Sequence, residues 1–88
     1  MNIDHEVQML VEEMKRLGKP NADGKIAVTF GTMFADDRCA NIFEALVGTL
    51  RAGKKRGVVS YPGQLLLQGA HDHVEIVLLT EADGSAVN

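Results

Sequence analysis

The N-terminal segment imposes the strongest constraint on folding: Ile3, Val7, Leu10, Met14 and Leu17 recur at helical spacing with Val11 beside them, while Glu6, Glu12, Glu13, Lys15 and Arg16 occupy other faces. A helix with one apolar stripe must bury that stripe against another part of the chain. In 88 residues there is room for a single core, because a chain of this size buries only about 60 to 65 % of its unfolded surface. Asn2 is placed to cap the helix, Asp4 and Glu6 suit the positive end of its dipole, and Lys15 and Arg16 suit the negative end. Gly18 and Pro20 end it near Leu17.

The segment "NADGK" offers a turn at Asp23 and Gly24, after which Ile26, Val28 and Phe30 alternate with Lys25, Ala27 and Thr29 as in a half-buried strand. In "GTMFADD", Met33 and Phe34 predict a short helical turn anchored to the core. From Asp36 and Asp37 a long helix is predicted through "RCANIFEALVGTLRAGKKR", with Cys39, Ile42, Phe43, Leu46, Val47 and Leu50 as its apolar stripe. After Gly57, "VVSY" reads as a strand, Pro62 and Gly63 turn it, and "HVEIVLLT" reads as a strand with Val74, Ile76 and Leu78 on one face. This order is that of an α+β, winged-helix-like domain: three helical segments packed on a short antiparallel sheet, its last two strands a hairpin and its first strand pairing at the edge. One domain is expected over residues 1–80, with 81–88 as a flexible C-terminal tail.

Composition excludes several functions. The single Cys39 has no disulfide partner and lies on the apolar stripe, so it reads as a buried small hydrophobe in a reducing compartment. The N-terminus lacks a basic start and a continuous apolar run, and no apolar run approaches the roughly 18 residues of a membrane span. A cytoplasmic protein without a membrane partner is expected. His71, Asp72 and His73 superficially suggest a metal site, but neighbours two apart on a strand share one face only with each other and no further ligand is near in sequence; a solvated loop without a metal is the expectation. No nucleophile, base and acid order or phosphate-binding glycine loop is found, so neither enzymatic activity nor a cofactor is expected.

Three features bear on partners. The face of the long helix opposite its stripe carries Asn41, Ala45, Gly48 and Ala52, and three of these four have no side chain that reads a base edge. Gly48 in a helix costs roughly 1 kcal/mol relative to Ala, so it is expected to be a close-contact position, either packed within the fold or part of a flat docking surface. Arg51, Lys54, Lys55 and Arg56 concentrate positive charge at the end of the helix although the chain carries a net charge of -3. They offset the helix dipole, meet an acidic protein partner, or meet nucleic acid or lipid. Leu65, Leu66 and Leu67 in succession cannot all face inward from a regular hairpin, which leaves either a wing folded onto the core or an apolar contact surface flanked by Gln64 and Gln68.

Taken together, "MNIDHEVQMLVEEMKRLG", "NADGK", "FGTMFADDRCANIFEALVGTL" and "YPGQLLLQGAHDHVEIVLL" resemble the Costars family from Met1 to about Leu79. Small proteins of this kind look like the C-terminal actin-binding domain of the actin-binding Rho-activating protein of striated muscle. The resemblance implies a non-enzymatic, monomeric cytoplasmic protein, associated with the cytoskeleton, that binds actin or an actin-regulatory protein and modulates actin dynamics and cell motility. The alternative from another class is a winged-helix nucleic-acid-binding module. Arg51, Lys54, Lys55, Arg56 and Leu65 to Leu67 are the expected partner-binding residues. Gly53 stands where relatives tend to have Ala, and Gly57 where a basic residue is common. The first is expected to weaken the helix end and the second to trim the patch.

Overall fold

The structure is a computed structural model that describes residues 2–79. Asn2 starts the first helix as expected, its side chain accepting from the His5 N–H at 3.1 Å. The helix, α1 (Ile3–Leu17), buries Val7, Leu10, Val11 and Met14 almost completely, each contributing about 1.5 to 3 kcal/mol on burial. Two acidic residues assigned to its polar side are buried as well. Glu6 is 7 % and Glu13 3 % exposed, and both are tolerated because each has a partner: Glu6 accepts from Thr49 Oγ1 at 2.7 Å, and Glu13 from two arginines.

After Gly18 the chain forms a two-residue edge strand, β1 (Lys19–Pro20), that pairs antiparallel with β2 (Ile26–Thr29). The proline tolerates this edge because it has no N–H to lose from the ladder; sequence periodicity over two residues gives no strand signal, and β1 was not anticipated. The turn between them forms at Asp23 and Gly24 as expected, with Asn21 Oδ1 accepting from the N–H groups of Asp23 and Lys25. Within β2, Ala27 is buried alongside Val28, so strict alternation fails there. Ala27 sits mid-sheet, opposite both Lys19 and Val77, where a small side chain is easily covered. Phe30 opens a helix instead of continuing the strand.

Three helical segments follow: α2 (Phe30–Ala35), α3 (Asp37–Ile42) and α4 (Leu46–Lys55). The single long helix predicted over this region is therefore broken, with Phe43 and Ala45 both in extended conformation. Asn41, Ile42 and Phe43 are mediocre helix formers, and across the break Cys39 and Phe43 line one groove with Met33 while Leu50 of α4 is buried as well, all four joining one core. The core holds Phe30, Leu10, Met14, Met33, Leu50 and Ile76 at 0 % exposure.

The remaining strands are β3 (Val59–Ser60) and β4 (Glu75–Leu78), joined by a long wing. The antiparallel sheet runs β1-β2-β4-β3. Thus β3 and β4 form the expected hairpin, and β2 pairs with β4 in the register Val28 to Ile76. The chain is α+β with the expected winged-helix-like order, α1 and α4 packing together beside the sheet. The proposed tail, 81–88, lies outside the described residues.

Candidate functional site

The four cations of the basic cluster lie in or just after the last turns of α4, but they do not act alike. Lys54 is half-buried: its Nζ donates to the Tyr61 carbonyl at 2.7 Å and to the Gly63 carbonyl, and lies 4.3 Å from the centre of the Tyr61 ring. One ammonium group thus joins the helix to the start of the wing. Burial pushes the Tyr61 phenol up, the Arg51 charge acting against it. Arg56 pairs with Asp4 at 2.5 Å, tying the end of α4 to the start of α1. Arg51 and Lys55 are exposed and hold no ion pair or hydrogen bond among the described residues. They share with Lys54, Tyr61 and Gln64 a surface depression of about 330 Å³.

The helix end is closed by backbone geometry as well as charge. Gly57 has φ +74°, with its N–H bonded to the Lys54 carbonyl at 3.1 Å and the Val58 N–H to the Gly53 carbonyl at 2.8 Å. This is a Schellman arrangement, and a basic side chain at Gly57 would be strained in it. Gly57 serves the stop, whatever it removes from the patch. Gly53 is the close-contact glycine of α4: a Cβ there would meet Leu10 Cδ2 at 3.2 Å and Val59 Cγ2 at 3.3 Å.

The expectation of close packing within the fold at Gly48 is corrected by the same geometry. A Cβ on Gly48 would find only Ala45 Cβ, at 3.8 Å, and Gly48 is exposed. Nor do Asn41, Ala45, Gly48 and Ala52 form one helical face, since Asn41 belongs to α3, Ala45 to the break, and only Gly48 and Ala52 to α4. Ala52 packs partly buried against the core, whereas the other three are exposed.

Among the three leucines of the wing the pattern alternates. Leu65 is 59 % and Leu67 48 % exposed, while Leu66 is 3 % exposed in the core. Leu66 is therefore removed from the expected binding residues, because its side chain anchors the wing. The turn that follows is not merely solvated. His71 Nδ1 accepts from the Leu67 N–H at 2.9 Å, Asp72 Oδ1 accepts from the Gly69 N–H at 2.8 Å, and the Asp72 carbonyl accepts from the Gly31 N–H at 2.9 Å. The first two contacts fix the turn that follows Leu67, and the last ties the wing to α2.

Glu13, Asp36 and Cys39 bring potential ligand atoms within 4.8 Å of one another. The carboxylates are already engaged: Glu13 accepts from Arg16 at 2.6 Å and Arg38 at 2.9 Å, and Asp36 accepts from Arg16 at 2.5 Å and from the Cys39 N–H at 3.0 Å. The Arg16 guanidinium holds the Asp36 carboxyl below its usual range. Burial pushes the Cys39 thiol up to about 12, which disfavours the free thiolate a nucleophile requires. The group reads as a bracket between α1 and α3.

A second surface, not anticipated from sequence, lies at the break between α3 and α4. An apolar groove of about 390 Å³ is lined there by Phe34, Ala40, Phe43, Leu46 and Val47, with Glu44 among them. Phe34 packs edge-on against Phe30 at 5.6 Å and leaves 38 % of itself exposed. The break creates this groove, and helical periodicity runs smoothly across the break; only the presence of two phenylalanines near small residues hinted at it. No helix among the described residues is long and apolar enough to cross a membrane.

Comparisons with known proteins agree with the resemblance. The Costars family model matches residues 2–79. The chain is similar to the human Costars family protein ABRACL, 65 % identical over 81 residues that cover 92 % of this chain and 100 % of that protein. A Costars family protein of Nematostella vectensis is 67 % identical, with 92 % and 99 % covered. One of Picea sitchensis is 63 % identical, with 96 % and 95 % covered. The solution structure of human HSPC280 protein superposes with a TM-score of 0.84 at 64 % identity, covering 92 % of this chain and 95 % of that one. On sequence along nearly its whole length and on fold alike, the chain belongs to the Costars family.

Proposed function

We propose that this protein is a non-enzymatic cytoskeletal regulator whose wing face binds actin filaments or an actin-regulatory protein. The family resemblance supplies the cytoskeletal class of partner. The observation that carries the choice of surface is the division of labour around Lys54: it fixes the wing, while Arg51 and Lys55 remain free in the same depression as Gln64. Leu65, the next residue, and Leu67 add exposed apolar area. A small apolar patch beside two free cations suits an acidic protein surface, where the charges speed encounter and the leucines hold the docked contact. Against a sequence-specific nucleic-acid reader stand the net charge of -3 and the exposed Gly48 of α4, which has no side chain to read a base edge.

The experiment is cosedimentation with actin filaments, with and without purified actin regulators, followed by association kinetics on whichever species binds. The double variant Arg51→Glu/Lys55→Glu should stay folded and associate about tenfold more slowly, with a flattened salt dependence. Association at the wild-type rate with the wild-type salt dependence would remove the wing face from the mechanism.

A further inference from the structure

We propose that the groove at the α3–α4 break is a second docking surface, which takes one face of an amphipathic helix from a partner protein. An apolar side chain of that helix enters the groove and a basic residue beside it meets Glu44. The proposal stands apart from the wing face and from the identity of its partner.

Glu44 decides the charge of the occupant. It is exposed within a groove otherwise lined by apolar residues, and it holds no ion pair or hydrogen bond among the described residues. By contrast Glu13 and Asp36, the nearby acids of the α1–α3 bracket, are doubly engaged. An unpaired carboxylate at the rim of an apolar groove complements a cation flanking an apolar side chain. The helical form of the occupant follows from the walls. They are helices and a helix junction, and no strand edge borders the groove to add an extended peptide.

Local rules are also broken here and kept elsewhere. Asn2, Thr29 and Asp36 cap α1, α2 and α3 with side-chain hydrogen bonds, whereas Ala45 at the start of α4 makes none. Gly48 follows in the first turn of α4, where an added Cβ would meet only Ala45 Cβ, at an ordinary contact distance of 3.8 Å. Neither concession has a reason inside the fold. Ala45 lines the groove and Gly48 directly follows the lining Val47; short side chains at both let a second helix come close, and exceptions of this kind concentrate at functional surfaces.

The test uses the full chain labelled with 15N and a synthetic helix of about 15 residues, long enough to be helical, with leucine at i, i+3, i+4 and i+7 and lysine at flanking positions. Saturable amide shifts confined to Phe34, Ala40, Glu44, Val47 and Gly48 are expected, with at least about fivefold weaker binding when every lysine of the peptide is replaced by glutamate. Glu44→Lys should invert that preference, and Ala40→Arg should weaken the lysine peptide at least about tenfold. Both positions are exposed, so both variants should melt as the wild type does. Arg51→Glu/Lys55→Glu should leave peptide binding unchanged, which separates this surface from the wing face. Shifts centred on the wing, a preference that Glu44→Lys fails to invert, or absence of saturation would overturn the proposal. So would shifts of the same amides on concentrating the chain alone, which would give the groove to a second copy.

Discussion

At its C-terminal end α4 is closed by a Schellman turn at Gly57, by Lys54 reaching two carbonyls of the wing, and by Arg56 on Asp4. At its N-terminal end the same helix starts from Ala45 without a side-chain cap, continues through an exposed Gly48, and borders an apolar groove. The charged end is conspicuous in the sequence and is largely occupied by the fold. The plain end is inconspicuous and is left open. A charge cluster is thus a poor guide to free surface until each side chain has been followed to its partner, because the same ammonium group that could meet a ligand can serve as an internal fastener.

The sharpest contrast between the two ends lies in their glycines. Gly53→Leu should destabilise by about 2 to 3 kcal/mol, since the added side chain must displace Leu10 and Val59 from a packed seam; Gly48→Leu should cost nothing measurable in urea denaturation. Equal melting of the two variants would break the comparison. At the open end, Ala45→Asp should stabilise by about 1 kcal/mol by supplying the missing cap, and Gly48→Ala by about 0.5 to 1 kcal/mol. A thermal shift in the opposite direction for either would mean that the start of α4 is already satisfied. The smallest effects belong to the exposed cations. Arg56→Ala should cost less than about 1 kcal/mol, as an exposed pair with Asp4 contributes little, and Arg51→Glu/Lys55→Glu about 1 kcal/mol or less, through the helix dipole alone.

How far the sequence reached depends on the range of the forces involved. Short-range signals were legible: the stripe and cap of α1, the turn at Asp23 and Gly24, the strands around Val28, Val59 and Ile76, and the hairpin order that gives the α+β fold. The break at Phe43 to Ala45 was not, because its cause is tertiary. Cys39 and Phe43 join the core on one side of the break and Leu50 on the other, while a 3.6-residue period passes through both. The buried acids were hidden for a similar reason, as Glu6 depends on Thr49, which is 43 positions away, and Glu13 on Arg38, which is 25 away. Of the candidate site, the wing leucines were read as unable to share one direction, and the structure divides them between core and solvent. That Lys54 would turn to Tyr61 while Lys55 would not is decided by where the wing returns, which composition does not encode.

Urea denaturation of Lys54→Met, Arg51→Met and Lys55→Met, three variants that remove charge while keeping a long apolar stem, tests the division of the basic cluster most directly. Lys54→Met should lower stability by about 1 to 2 kcal/mol through the loss of its carbonyl hydrogen bonds and its contact with the Tyr61 ring. Arg51→Met and Lys55→Met should each stay within about 0.5 kcal/mol of wild type. A loss shared equally by all three, or no loss at Lys54→Met, would contradict the assignment of Lys54 to the fold and of Arg51 and Lys55 to a partner.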